Sequence, residues 1–182
     1  MNSSEKENSG PLPNTRLKAK KRNTFIQEEI ITLLNETIIP FVGIESIKLY
    51  QTLAEVKKIL SEEGIGYREE LWSSQSETVP NPWTVIVIDN VMSLFFAKNG
   101  KLFKIVLWQD YSGSLPNGVS TEMQVSEAKK LDPTLEYDEW NEDYESSSGY
   151  WLEDDAENGD IISISIFIRE LLDEDQFDYC NW

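Results

Sequence analysis

Residues 52–59 read TLAEVKKI and residues 124–131 read QVSEAKKL, two segments that lie 72 positions apart. Each contains a glutamate, an apolar residue, two lysines and a second apolar residue in the same order. Apolar residues spaced three and four positions apart predict an amphipathic helix. We therefore expect two short helices, over about 52–62 and 126–131, and Gly64 and Gly66 should end the first.

Runs of apolar and aromatic residues that are typical of strands follow each helix. They lie at Tyr67–Trp72, Trp83–Ile88, Met92–Ala97 and Leu102–Trp108 in the first half, and at Tyr150–Glu153 and Ile161–Ile168 in the second. Asn99-Gly100 and Asn158-Gly159 predict hairpin turns, since both central positions of the favoured two-residue turn need a positive φ. Each half is therefore expected to form an antiparallel meander.

A helix on a sheet of three or four strands cannot cover enough apolar surface alone, so two such units are expected side by side. The predicted fold is α+β: an antiparallel sheet of eight strands or fewer, built from two similar helix-plus-meander units with helices packed on one face. The units cover about 43–110 and 115–168. Chance similarity is the alternative to an internal duplication, because Lys-Lys and Asn-Gly are common dipeptides.

The two ends of the chain carry their own patterns. Residues 1–23 are rich in Ser, Asn, Pro and Lys, and we expect a flexible basic tail there. Thr24 and Gln27 then fit a capping box, which predicts an N-terminal helix over about 24–37. Residues 24–182 are predicted to form one α+β domain, whose acidic C-terminal segment, 169–182, should begin with a short helix.

The composition excludes several classes of site. The chain of 182 residues has no histidine and one cysteine. Ser-His and Cys-His nucleophile pairs, imidazole-bound zinc and internal disulfides are therefore excluded. We expect no catalytic residue, no cofactor and no bound metal, and hence a non-enzymatic binding protein.

The negative charge is concentrated in the last third of the chain. The net charge is -17, and residues 132–182 contain 17 acidic side chains against one basic side chain, Arg169. The electric field of so dense a negative charge repels nucleic acid and anionic lipid, and it attracts basic proteins. The expected partner is a basic protein, without direct nucleic-acid or membrane binding. A solvated acidic surface that maintains solubility is the alternative.

Aromatic residues lie among these acids, and tyrosine and tryptophan dominate the binding energy of many interfaces. We expect Trp140 and Tyr144 at the surface and Trp151 in the core. The predicted partner-binding residues are Asp138, Glu139, Trp140, Glu142, Asp143, Tyr144, Glu145, Asp154 and Asp155.

Two other uses of the carboxylates remain open. A pair of them could act as general acid and base in a hydrolase, although no spacing selects two of the many candidates. Residues 154–160 resemble the start of a calcium loop. However, Ala156 lies at the third position, where an EF-hand needs a side-chain oxygen ligand, and Ser165 lies at the twelfth, where it needs a bidentate glutamate. A hairpin turn is the better interpretation of that segment.

The pattern of an apolar strand or turn, a helix and a meander resembles the beta-lactamase-inhibitor-protein and outer-membrane-lipoprotein assembly families. The residues that carry the resemblance are Thr52, Glu55, Val56, Leu60, Asn99, Gly100, Leu102 and Ile105. It covers about residues 43–168 and implies a fold used for protein binding. In general character the chain is also similar to the immunity proteins that bacteria pair with secreted toxins.

We therefore predict an immunity protein that binds and neutralises a cognate basic toxin, preferably a nuclease, through its acidic, aromatic surface. The alternatives are a carboxylate-dependent hydrolase and a scaffold or regulatory interaction module. The N-terminus lacks the apolar segment of a signal peptide, and no stretch approaches the roughly 18 apolar residues of a membrane span, so a cytoplasmic location is expected.

Overall fold

The computed structural model describes residues 35–72, 83–173 and 182. Within them, eight strands form one antiparallel sheet in the order β1-β2-β3-β4-β8-β7-β6-β5. The α+β class and the antiparallel sheet are thus confirmed. The strands are β1 (Arg68–Trp72), β2 (Trp83–Ile88), β3 (Met92–Phe96), β4 (Leu102–Trp108), β5 (Glu136–Asp138), β6 (Asp143–Ser146), β7 (Tyr150–Asp154) and β8 (Ile161–Phe167).

Helix α1 (Leu53–Glu62) precedes the meander β1–β4, and helix α2 (Val125–Leu131) precedes the meander β5–β8. The two meanders join through the β4–β8 pair. In the first half the Leu53 N–H donates to the Gly100 carbonyl over 2.9 Å, and in the second the Val125 N–H donates to the Gly159 carbonyl over 3.0 Å. Each helix start is therefore tied to the Asn-Gly turn of its own half.

Helix α1 begins at a complete capping box. The Glu55 N–H donates to the Thr52 hydroxyl, and the Glu55 carboxylate accepts the Thr52 N–H over 2.7 Å. These bonds satisfy backbone groups that have no partner within the helix. Val56 and Leu60 are fully buried one turn apart, so the apolar stripe predicted from sequence faces the core.

Because side chains alternate along each strand, the sheet has two faces. On the helix-side face, Ile86, Leu94, Ile105, Ile166 and Tyr150 lie side by side across five strands, and all five are buried. Contacts from both helices reach this face: Lys57 pairs with Glu69 at 2.5 Å, and the Lys129 ammonium lies 4.5 Å from the centre of the Tyr144 ring.

The opposite face, which we call the far face, changes character across the sheet. Its β2–β4 part contains aromatic rings in edge contact, with centroids 5.3 Å apart for Trp83 and Phe103 and 6.2 Å apart for Phe95 and Phe103. In its β5–β8 part, one row runs Ser163, Glu153, Asp143 and Asp138. The far face is therefore aromatic at one end and acidic at the other.

Several sequence predictions need correction. The turn at Asn99-Gly100 exists, but only Gly100 has a positive φ, 76°. The Gly100 N–H donates to the Ala97 carbonyl over 2.8 Å, and the Ala97 N–H donates to the Lys101 carbonyl over 3.0 Å. The hairpin is thus closed by a longer turn with one glycine in the left-handed region, rather than by the two-residue turn we expected.

The ends of the described ranges also differ from expectation. Residues 24–34 of the predicted N-terminal helix and the tail at 1–23 lie outside the described residues, and residues 35–37, the rest of that prediction, are not helical. The acidic C-terminal segment begins with a short 3-10 turn over Arg169–Leu172, and its residues 174–181, including Cys180, lie outside the described part. Neither α1 nor α2, the helices of the described ranges, has the length and apolar character that crossing a membrane requires.

Candidate partner-binding surface

A tight hairpin joins β5 and β6, the two strands that the sequence analysis missed. Asp138 and Asp143 form its last strand pair. The Asp138 carboxylate accepts the Trp140 N–H over 2.8 Å through Oδ1 and the Asn141 side-chain amide over 2.7 Å through Oδ2. Glu142 returns the chain with a φ of 56°. Side-chain bonds from Asp to the following backbone favour one turn conformation, so this loop is locally fixed.

Trp140 stands at the tip of that hairpin and is 95% exposed. Its neighbour in the same hairpin, Tyr137, is 50% exposed and contacts Tyr144 with ring centroids 5.0 Å apart. Tyrosine and tryptophan combine a large apolar area with a polar tip, which is why they are enriched at protein interfaces. The hairpin therefore holds an aromatic anchor away from the core on a backbone that its own aspartate braces.

Three carboxylates crowd the far-face side of the same hairpin. Oxygen atoms of Asp138, Asp143 and Glu145 all lie within 4.8 Å of one another. Burial and the neighbouring Glu145 raise the pKa of Asp143 to about 6, while Lys104 opposes them. Burial and Asp138 also raise the pKa of Glu145. A nearby positive charge stabilises the ionised form of carboxylates that lie this close together. Within the described residues, these three are the group that could hold a divalent cation.

An open pocket of about 660 Å³ adjoins this cluster, and we call it the far-face pocket. It is lined by residues of strands β4, β7 and β8, among them Asp154 at the end of β7, and by Glu142 of the β5–β6 loop. The side chains that line its interior include Lys104, Asp143, Trp151, Glu153, Ser163 and Ser165. The pocket thus combines an aromatic ring with several acidic oxygens and one lysine.

Lys104 brings the single positive charge to the pocket floor. Its ammonium lies 5.0 Å from the centre of the Trp151 ring, which stacks on Phe167 at 4.0 Å. Burial lowers the pKa of Lys104, and the charges of Asp143 and Glu153 act in the opposite direction. Among the described residues, no carboxylate oxygen lies within 4.0 Å of that ammonium. One buried carboxylate oxygen, Oδ1 of Asp143, also has no hydrogen-bond partner in the described part.

The predicted partner-binding residues fall into several places. Asp138, Asp143 and Glu145 form the carboxylate cluster, Glu139 and Trp140 occupy the hairpin tip, and Glu142 and Asp154 line the far-face pocket. Tyr144, for which a surface position was predicted, is half-buried and packs against the core on the helix-side face. Asp155 shapes the β7–β8 turn by accepting the Glu157 N–H over 2.9 Å.

Sequence reasoning did not single out Lys104. It counted Glu153 among the candidate acid or base carboxylates but not among the partner-binding residues. It assigned Trp151 to the core, whereas the structure shows this side chain half-buried. A signal for Lys104 exists: it is a lone charge between Phe103 and Ile105 in an otherwise apolar strand. A lysine in such a position either extends to solvent or marks a polar site on the sheet.

Both Asp132 and Tyr111 serve the structure beneath the site. The Tyr111 hydroxyl donates to the Glu36 carbonyl over 2.8 Å, and Thr121 donates to the Tyr111 carbonyl over 2.8 Å. The Asp132 carboxylate receives hydroxyl bonds from Ser146 and Tyr150. These bonds connect the loops and α2 to the sheet that carries the hairpin.

Comparison of the chain with protein-family models, with curated proteins and with solved structures finds no match in any of the three.

Proposed function

We propose that the chain is a non-enzymatic protein-binding protein, most specifically an immunity protein that binds and neutralises a basic toxin of the nuclease type. The observation that carries the proposal is Trp140, 95% exposed at the tip of a braced hairpin with acidic neighbours. An exposed tryptophan supplies a large rigid contact area at low entropic cost.

The negative charge around Trp140 indicates that the partner is positively charged. Asp138, Asp143 and Glu145 crowd one side of the hairpin, and Glu139 and Glu142 flank Trp140. A nuclease needs a basic surface for its phosphate substrate, and an acidic surface of this kind can occupy it and exclude nucleic acid. Electrostatic attraction of this type mainly accelerates association, whereas an aromatic anchor that becomes buried in the complex slows dissociation.

Coexpression of the neighbouring open reading frame, with and without this chain, tests the proposal. The neighbour should be toxic alone, and the two proteins should copurify. Trp140→Ala should abolish protection, whereas Tyr67→Ala, a matched change beside the opposite edge strand β1, should leave it intact. A harmless neighbour, or toxicity that persists with the wild-type chain, would refute the immunity function.

A carboxylate-dependent hydrolase is the second candidate. Burial is the main cause that raises the pKa of Asp143 to about 6, a value that suits a general acid. Glu153 lines the same pocket. Under this hypothesis Asp143→Asn abolishes turnover of a glycoside or ester substrate while partner binding persists. Absence of turnover across such substrates would count against it.

Both halves begin with a helix whose first residue is bonded to the Asn-Gly turn of that half, and this similarity supports a further part of the proposal. We take the two helix-plus-meander units to be related by duplication, with both helices on one face, as in the beta-lactamase-inhibitor-protein-like pattern. The equivalent bonds from Leu53 to Gly100 and from Val125 to Gly159 support this relation. Because such a nuclease acts on nucleic acid inside the cell, we also propose a cytoplasmic location for the protein.

A further inference from the structure

Among the acceptors of the far-face pocket, Glu153 Oε2 accepts the Ser163 hydroxyl over 3.2 Å, and one carboxylate oxygen has no partner in the described part. Oδ1 of Asp143 is buried without a hydrogen-bond partner, and the pocket is lined by Glu142, Glu153 and Asp154 as well. Four carboxylates face one ammonium, that of Lys104. A group that enters this pocket therefore meets more hydrogen-bond acceptors than donors and a negative potential.

We propose that the far-face pocket receives one arginine side chain of the protein partner, a step that rests on the proposed function and names the partner's chemistry at this position. A guanidinium group presents five N–H donors in a rigid plane, so it can bond to Asp143 and to Glu153 or Glu142 together. The compact lysine ammonium has three donors and no plane to span the pocket.

Lys104 limits the pocket to a single cation. Its ammonium already occupies the floor beside Trp151, so it repels a second positive charge and confines the incoming group to the outer, acidic part. It follows that removal of Lys104 and removal of Asp143 should change arginine binding in opposite directions. A uniform acidic surface without a defined pocket predicts no such position dependence.

The experiment uses the full-length, ¹⁵N-labelled chain and the peptide acetyl-Gly-Arg-Gly-amide at pH 7.5, where Asp143 is largely ionised. The citrulline peptide, which has nearly the same shape without the charge, and the lysine peptide serve as comparisons. We expect saturable shifts in the backbone signals of Lys104, Asp143, Trp151 and Ser163 with the arginine peptide, at least about threefold weaker binding of the lysine peptide, and little response to citrulline.

Two pairs of variants with equal changes in net charge separate the pocket from overall charge. Asp143→Asn should weaken arginine binding by about three- to tenfold, whereas Glu157→Gln, on the exposed β7–β8 turn, should change it less than twofold. Lys104→Met should strengthen binding by a similar factor, whereas Lys98→Met, on the exposed β3–β4 turn, should not. Unchanged dispersion of the spectrum shows that each variant is folded.

Equal effects in the members of either pair, equal binding of the citrulline or lysine peptide, or shifts spread over the whole acidic surface would overturn the arginine pocket. None of these results affects the interpretation of the coexpression assay, in which protection depends on Trp140. Protection without a pocket response therefore refutes this inference alone, and a pocket response without protection refutes only the proposed immunity function.

Discussion

Asp132 is the residue whose replacement should most clearly separate charge from packing in this fold. It follows α2, and its carboxylate accepts Thr134 Oγ1 over 2.6 Å, Ser146 Oγ over 2.6 Å and the Tyr150 hydroxyl over 2.7 Å. Ser146 and Tyr150 belong to β6 and β7, so one carboxylate ties the end of the helix to two strands.

The size of its contribution follows from the pKa. Burial acts to raise the pKa of Asp132, but the hydrogen bonds from Ser146, Thr134 and Tyr150 outweigh it and lower the pKa from 3.8 to about 2. A difference of nearly two units corresponds to about 2 kcal/mol. Because the folded pKa lies below the unfolded one, this stability is fully present above about pH 4 and is lost as the pH falls through about 2.

Asp132→Asn should therefore lower the free energy of unfolding by about 2 kcal/mol at pH 7, as measured by urea denaturation. The difference between wild type and variant should shrink steadily from pH 4 to pH 2, because the wild-type carboxyl is then protonated as well. Comparison with Glu157→Gln removes the effect of net charge. A cost that is the same at pH 2 and pH 7 would show that lost packing, rather than the carboxylate's charge, causes the destabilisation.

Three further outcomes are expected. Trp140→Ala should leave thermal stability unchanged within about 0.5 kcal/mol and weaken the purified partner's binding by at least about 2 kcal/mol in calorimetry, and a stability loss would show that the ring packs on the fold. Gly149→Ala should destabilise by more than about 1 kcal/mol in denaturant titration, since its φ is 91° and a Cβ there would overlap the Phe41 ring, and a neutral result would contradict this crowding. Thr52→Ala should cost about 1 kcal/mol by removing the capping box with Glu55, whereas unchanged stability would mean that water replaces the cap.

The sequence allowed the elements with a strong apolar pattern to be located closely. Trp83–Ile88 and Leu102–Trp108 begin and end at the predicted residues, and α1 lies within one residue of its predicted bounds. These segments are buried on both faces or on one full stripe, and turn residues bound them. Local pattern and tertiary environment agree there, so local reasoning was sufficient.

Strands β5 and β6 were missed because their hydrophobic signal is carried by two tyrosines alone. Tyr137 and Tyr144 face the helix side, while Glu136, Asp138 and Glu145 face the other. That alternation has the period of a strand, but the density of charge favoured a solvated loop. The pairing of β4 with β8 was likewise beyond local pattern, since it depends on contacts between residues about 60 positions apart in the sequence.

The shape of this hairpin supports the proposal that its charge serves binding as well as solubility. A solvated acidic surface would spread its carboxylates, because repulsion between like charges favours separation. Here the strand register sets Asp138 directly opposite Asp143, with Glu145 two residues further along the same face, and burial adds to the cost of ionising Asp143. The folded sheet therefore maintains a repulsion that a cationic partner relieves.

Binding should consequently lower the pKa of Asp143 and release protons near pH 6, and calorimetry in two buffers of different ionisation enthalpy measures that release. Zero release at pH 6 would show that the partner does not contact this cluster.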